Sequence, residues 1–505
     1  MSGTRNWTEI RRRSIRVDQG QAWVRLEAFR KPDGNVFFDD VSLRRLIPPF
    51  VQGFLLYPNY RGLLFRDRSQ MIRVSVTARP EALGRSPSDF LVRLVLETST
   101  GKAIVSLNRS VRANTATTMS LDASKAPLGR LRLRILAIDS RTRVPFFEYP
   151  SYTIVKLAPS ARNTLRTYIE ADNALVIRGR RRFALGIYDT SGRSSKPEYY
   201  EPRISKLAEA PFNLYLNYFL SGASKGEIAA LTTTLGKHGM SYLHTTNSWY
   251  QNAPYWPSGA VCKGSYASNL GARAFTICKA SELKDVPGVA GWYTADERRA
   301  DQAARTFDQY VLLRGNDRDG IAFIAQNRPK ELTRWRDAAD VFGVDPYPIY
   351  NIPEGKLSPF DMVLDWVTQA QNAVQRSRPV WAVVQFFKFG TNGHWPTYKE
   401  LRNMSYMAVI GGAKGLFYWS NGVGALSWVD DPVRKERYWK RLVKVTKEIR
   451  ALEPVLLAPN DPGVVVSTTY ADRMRVMSKT VGGIRYIFAV NHTNRANLSV
   501  RFTLA

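Results

Sequence analysis

The chain has 505 residues, of which 44% are hydrophobic and 12% aromatic, and it carries a formal net charge of +30. That length holds roughly three or four domains, and that apolar content packs cores, which excludes a disordered chain. The basic residues are dispersed in short runs such as Arg11–Arg13 and Arg178–Arg182, and no helix-turn-helix, RRM or zinc-finger pattern accompanies them. A nucleic-acid partner is therefore not expected. The charge does admit an anionic polysaccharide. No uninterrupted apolar segment is long enough to span a bilayer.

The chain opens on alternating, strand-like stretches at Trp7–Ile10, Ala22–Ala28 and Gly34–Leu43. The last of these, Gly-x-Val-x-Phe-Asp-Asp-Val-x-Leu, resembles the closing strand of a jelly-roll carbohydrate-binding module. The resemblance implies that residues 1–49 are the last part of such a module and that the protein begins further upstream. Met1–Trp7 is not a signal peptide. An export signal in the upstream part, and with it an extracellular or cell-envelope location, is the expectation.

Residues 50–159 alternate as short strands, among them Met71–Thr77, Phe90–Leu96, Ala103–Leu107 and Gly129–Ala137. Several short strands at this spacing predict a β-sandwich. The block resembles the immunoglobulin-like spacers that precede catalytic barrels in polysaccharide-acting enzymes. It holds no cluster of reactive groups, so a scaffold is expected.

Residues 160–455 change rhythm. Apolar runs at Phe183–Tyr188, Phe212–Tyr218, Ser241–Thr246, Val289–Tyr293, Ile321–Ala325, Val341–Asp345, Val380–Gln385 and Gly415–Trp419 alternate with helical stretches such as Lys225–Gly236 and Asp361–Ala370. Eight strands in that order predict a (β/α)8 TIM barrel. A doubly wound sheet would show a Gly-rich phosphate loop after its first strand, and none is visible. Leu442–Leu452 reads as a terminal helix. Residues 456–505 read as a small β-domain with strands at Gly463–Ser467, Met474–Ser478 and Tyr486–Asn491.

In a (β/α)8 barrel the reacting groups lie at the C-terminal ends of the strands. The predicted strand ends carry Tyr188, Asn217, His244, Asn247, Tyr293, Asp296, Glu297, Gln326, Asp345, Tyr347, Gln385 and Trp419. Each alone fits a helix cap or a satisfied polar rim. Together they supply the acids and amides that bind hydroxyls, and the rings that stack on the apolar faces of sugars. The adjacent carboxylates Asp296 and Glu297, delivered by the run Val286–Tyr293, stand out as acid and base groups.

At this point residues 174–455 resemble (β/α)8 glycoside hydrolases. The stretch Asn173–Tyr188 is similar to their entry strand. Trp-Tyr-x-x-Asp-Glu at 292–297 is similar to their fourth strand, Asp345-Pro-Tyr-Pro to a sixth-strand end, and Pro396–Tyr406 with Gly411–Trp419 to a seventh helix and eighth strand. The resemblance implies hydrolysis of an O-glycosidic bond in a poly- or oligosaccharide, with Glu297 as proton donor, and hence polysaccharide degradation. It also implies a nucleophilic Glu at the end of strand seven, where this chain has Gln385. An amide forms no glycosyl ester.

Three readings follow. In one, Asp345 is the second carboxylate, as nucleophile or base. In another, an acetamido group of the substrate is the nucleophile, oriented by Asp296 in a pocket shaped by Tyr347 and Trp419. In the third, the barrel binds glycans without catalysis. Glu400 is expected on helix seven, paired with Arg402 or Lys399, and outside the chemistry. Four histidines, His238, His244, His394 and His492, lack metal-ligand spacing, and neither a metal nor a cofactor is expected. There is no Gly-x-Ser-x-Gly elbow. Cys262 and Cys278 lie in one loop-like region and fit either a disulfide or two thiols.

Overall fold

The computed structural model describes residues 49–246, 262, 269–421, 426, 429–461, 466–470, 472–493 and 499–504. The expected jelly-roll remnant at 1–49 lies, but for its last residue, outside the described residues, as does Asn247.

The first described unit is a two-sheet sandwich. One sheet pairs Val51–Tyr57, Met71–Ala78 and Thr117–Asp122; the other orders Leu63–Phe65, Pro145–Leu157, Gly129–Asp139, Phe90–Thr98 and Ala103–Arg109. Strict alternation produces the core. Ile72, Val74 and Val76 from one sheet face Val92, Leu94, Leu133 and Ile135 from the other, all buried in one cluster.

A closed parallel barrel follows. Its strands are β1 (Ala184–Asp189), β2 (Leu214–Asn217), β3 (Ser241–Thr245), β4 (Val289–Asp296), β5 (Ile321–Gln326), β6 (Val341–Val344), β7 (Val380–Gln385) and β8 (Gly415–Asn421). The helices α1 (Pro197–Leu207), α2 (Lys225–Lys237), α3 (Asn269–Leu283) and α4 (Ala303–Asn316) follow the first four strands. A short 3-10 turn, Pro329–Arg334, takes the place of a helix between β5 and β6. Then come α5 (Asp361–Ala373), α6 (Tyr398–Ile410) and α7 (Pro432–Ala451). Capping boxes at Ser224/Glu227 and Thr397/Glu400 fix the starts of α2 and α6. Helix α7 begins ten residues before the expected Leu442, because Asp431 caps it and Pro432 is at its first position.

The barrel interior is packed, not hollow. Phe417 stacks on Phe323 (5.4 Å between centroids, 28°) and on Trp381 (5.4 Å, 20°). Glycines make room for these rings. A Cβ on Gly186 would stand 2.3 Å from Phe417, one on Gly343 2.7 Å from Phe323, and one on Gly415 2.7 Å from Trp381. This aromatic layer is the floor on which the C-terminal mouth rests.

The sandwich is locked to the barrel by buried arginines. Arg61, from the sandwich, donates through Nε to Asp340 (3.0 Å) and through a terminal nitrogen to the carbonyls of Asp317 (2.8 Å) and Arg318 (2.9 Å). Its other terminal nitrogen binds the Gly320 carbonyl and lies 2.9 Å from Asp340. In return, Arg336 and Arg378 of the barrel lie over the Phe54 ring (4.6 and 5.2 Å) and bind the carbonyls of Gly53 (3.2 Å) and Leu55 (3.1 Å).

Cys262 and Cys278 form a disulfide, with Cα atoms 5.6 Å apart. Cys278 lies on α3 and not in a loop. At the C-terminal end, Met474–Val481 pairs antiparallel with Ile484–Asn491, and Val466–Thr468 with Phe502–Leu504. Among the described residues no helix is long and apolar enough to cross a membrane.

Candidate active site

The C-terminal mouth of the barrel holds a cavity of about 340 Å³. It is lined by Tyr188 and Thr190 beyond β1, Tyr218 and Phe219 beyond β2, Asp296 and Glu297 at β4, Asp345 and Tyr347 beyond β6, and Trp419 on β8, above Ala325 and Val383.

Two adjacent carboxylates share this cavity because the strand ends between them. Successive strand residues point to opposite faces. A bulge between Tyr293 and Ala295 resets the phase of β4, so that Asp296 faces inward. Glu297 then adopts a left-handed backbone (φ 46°), with its N–H donating to the Ala325 carbonyl (2.9 Å). That conformation costs a non-glycine residue about 1 kcal/mol or more and turns the second carboxylate to the same side.

Asp296 is half-buried and accepts hydrogen bonds from the hydroxyls of Tyr218 and Tyr293. Removal from bulk water raises its pKa, and those two hydroxyls partly offset the rise. Asp345 is 3% exposed. Burial pushes its pKa well above the usual carboxylate range, and a hydrogen bond with the Glu297 side chain and the charges of Glu297 and Asp296 push it further. Asp345 is thus the carboxyl of the cluster with raised proton affinity, and Glu297, exposed at the mouth, is the carboxyl beside it. Around them Tyr188 meets Tyr293 (5.6 Å) and Trp419 (5.1 Å) edge-on, and Trp419 meets Tyr218 (5.4 Å).

A raised carboxylate pKa opposes folding at neutral pH. Below the ordinary Asp value both states hold the proton and nothing is lost. As pH rises from there through the folded value, the native state resists deprotonation, at about 1.4 kcal/mol for each tenfold difference in proton affinity. Asp345→Asn is therefore expected to unfold at higher temperature than the parent at pH 7, with the difference vanishing near pH 3.5. An equal Tm at both pH values would show that Asp345 carries no such cost.

Of the residues expected at the site, Tyr188, Tyr293, Asp296, Glu297, Asp345, Tyr347 and Trp419 come together. Four do not: Asn217, His244 and Gln326 occupy the outward faces of their strands, and Gln385, in phase with the inward Trp381 and Val383, is held by the backbone. Asn217 points to the helix side, donating to the Ser191 carbonyl (3.1 Å) and hydroxyl (2.8 Å). His244 is buried beside Tyr242 and Trp292, its pKa pushed down to about 3 by burial and then by the charge of Lys279. Gln326, one residue past the inward Ala325, is buried away from the cavity.

Gln385 is absorbed by the backbone. Its Oε1 accepts from the Ile349 N–H (2.9 Å), and its Nε2 donates to the carbonyls of Ile349 (3.0 Å) and Phe387 (3.2 Å). Only a group that both donates and accepts closes that ring on one peptide. Gln385→Glu, which places the expected nucleophile at strand seven, is expected to lose about 1–3 kcal/mol of stability, with no gain in rate. Thermal unfolding and activity assays of that variant measure both.

Glu400 is on α6, but its partners are Thr397, in the capping box, and His394 (2.9 Å); Arg402 pairs with Glu448 (2.7 Å) instead. Among the described residues no group of His, Cys, Asp and Glu could hold a metal ion. Tyr218, Phe219 and Thr190 line the cavity and were not anticipated. The signal for Tyr218 is the period of two that puts Leu214 and Leu216 inside the barrel.

No protein-family model and no curated protein matches the chain. Among solved structures it is similar to the β-glucuronidase of Ruminococcus gnavus (12% identity, 74% of this chain and 62% of that chain, TM-score 0.37). It is also similar to the β-D-glucuronidase of Dictyoglomus thermophilum (11%, 70% and 60%, 0.35). A third is the β-galactosidase of the psychrophilic Marinomonas ef1 (12%, 53% and 60%, 0.41). The chain spans about three-fifths of the length of each of these proteins.

Proposed function

We propose that the protein is a glycoside hydrolase that cleaves an O-glycosidic bond in a poly- or oligosaccharide, with Glu297 as proton donor. The observation that carries the proposal is the gathering of Glu297, exposed at an aromatic-walled mouth, with Asp296 and the buried Asp345 around one cavity. The separation of two carboxyl groups across the scissile bond distinguishes the mechanisms. Retaining pairs stand roughly 5–5.5 Å apart and inverting pairs roughly 6.5–9.5 Å. In this reading Glu297 and Asp345 act as one unit, in which the raised proton affinity of Asp345 keeps a proton at hand for Glu297 to pass to the leaving oxygen. The role opposite that unit falls to Asp296, fixed by Tyr218 and Tyr293. Asp296 either meets the anomeric carbon or orients an acetamido group that does.

The net charge of +30 favours an anionic polysaccharide, whose hydrolysis slows as salt rises. The Cys262–Cys278 disulfide favours an oxidising compartment outside the cytosol. The second reading, a glycan-binding barrel without catalysis, is favoured by Gln385, which the backbone holds where a nucleophile would stand.

The deciding experiment screens the protein against neutral, anionic and 2-acetamido polysaccharides and aryl glycosides. Activity confined to 2-acetamido sugars assigns the nucleophile to the substrate. Glycan binding with no hydrolysis anywhere in the panel selects the binding barrel.

A further inference from the structure

The cavity opens onto a row of aromatic rings that the catalytic cluster does not use. Tyr347, which walls the cavity, meets Phe387 (5.0 Å between centroids, 86°) and Phe389 (6.2 Å, 83°) edge-on; Phe389 in turn meets Tyr350 (4.6 Å, 60°). The outer two rings are open to solvent, Phe389 at 37% and Tyr350 at 55%. The row thus runs continuously from a ring beside Asp345 to the outer surface. Isolated exposed rings are ordinary; a connected row leading out of a cavity is not.

The two loops that carry the row are stitched together. Gln385 clamps Ile349 by both its N–H and its carbonyl. Tyr350 and Phe389 form a parallel bridge, and the Asn351 N–H donates to the Phe389 carbonyl (3.0 Å). The Asn351 Oδ1 accepts from the Asn392 N–H (3.3 Å), and Gly390 (φ 81°) leaves room for it, since a Cβ there would lie 2.2 Å away. His394 then ties the Ile352 carbonyl (2.7 Å) to Glu400 (2.9 Å). Rings held this firmly lose little freedom when something stacks on them.

A cavity of about 340 Å³ is at the small end of ligand sites, so a chain longer than the sugar it encloses must run over the rim. We propose that Tyr350 and Phe389 form an outer subsite that stacks the next units of a glycan chain, so that the ligand is a polymer or long oligosaccharide and not a free monosaccharide glycoside. This rests on the carbohydrate reading of the cavity, though not on its catalysis.

The test measures calorimetric affinity of Glu297→Gln, which keeps any substrate intact, for cello-, xylo-, chito- and oligogalacturonide series of one to six units. The same series is run on Glu297→Gln carrying Tyr350→Ala and Phe389→Ala. The expected result is affinity that rises with length in the first protein. In the second, affinity for the longer members falls about tenfold or more, while that for the monosaccharide is unchanged. Tyr350→Phe with Phe389→Tyr, which keeps both rings, is expected to restore it. Length-independent affinity, an equal loss at every length, or no binding in any series overturns the proposal. So does a change of oligomeric state on removing the rings with glycan affinity intact, which would show a protein partner. A length-dependent loss in a protein that hydrolyses nothing keeps the outer subsite and removes the hydrolase reading, so the two fail separately.

Discussion

Glu297→Gln is expected to lower glycoside hydrolysis by about 10²–10⁴-fold, the usual contribution of a positioned acid, while leaving the melting temperature unchanged. The side chain is exposed, so the amide costs no core contact. What it removes is the acid at the mouth, beside the buried Asp345. Glu297→Gly separates chemistry from backbone. It is expected to be equally inactive and about 1 kcal/mol more stable, because the left-handed φ of 46° suits glycine. Steady-state rates and thermal unfolding on the two variants check this together. Full activity in either one would move the proton donor elsewhere, with Asp296 and Asp345 as the remaining carboxyl groups of the cavity.

The largest stability effect is expected at Arg61, far from the mouth. Arg61→Ala should cost about 3–5 kcal/mol, as for the removal of one partner of a buried ion pair. The side chains of Arg61 and Asp340 are 3% and 1% exposed. Without the guanidinium, Asp340 keeps only the Tyr310 hydroxyl (2.7 Å) and the Ala322 N–H (2.9 Å), and the carbonyls of Asp317, Arg318 and Gly320 lose a donor. Arg61→Lys should recover little, because one ammonium cannot span an acid and three carbonyls in a planar fork. Urea unfolding followed by tryptophan fluorescence, which reports Trp292 and Trp381 in the barrel, measures the loss. A cost below about 1 kcal/mol would mean that the pair sits in a wetter environment than its burial implies.

The barrel strands were legible because each is a short apolar run bounded by polar turns, and all eight sit within a few residues of where their sequence places them. The 3-10 turn at Pro329–Arg334 is the exception to the alternation of strand and helix. The site was legible where the residue was a carboxylate or a ring at a strand end, as with Asp296, Glu297, Asp345, Tyr347 and Trp419. It is not legible at Asn217, His244 and Gln326, which occupy the outward faces of their strands, nor at Gln385, which shares the inward phase of Trp381 and Val383 but is clamped by the Ile349 backbone.

The sequence by itself determined the order of the strands, the apolar faces of the sandwich and the presence of two carboxylates at the end of β4. These follow from local periodicity and from residue type, which act over a few positions. Only the tertiary structure decided which polar groups face the cavity. Facing depends on strand phase, on the bulge in β4 and on the positive φ of Glu297, none of which composition encodes. It also decided that Asp345, 48 residues further along the chain, shares the cavity with Glu297 and has its pKa raised. That depends on closure of the barrel, which brings β4 and β6 to one mouth and takes a carboxyl out of water.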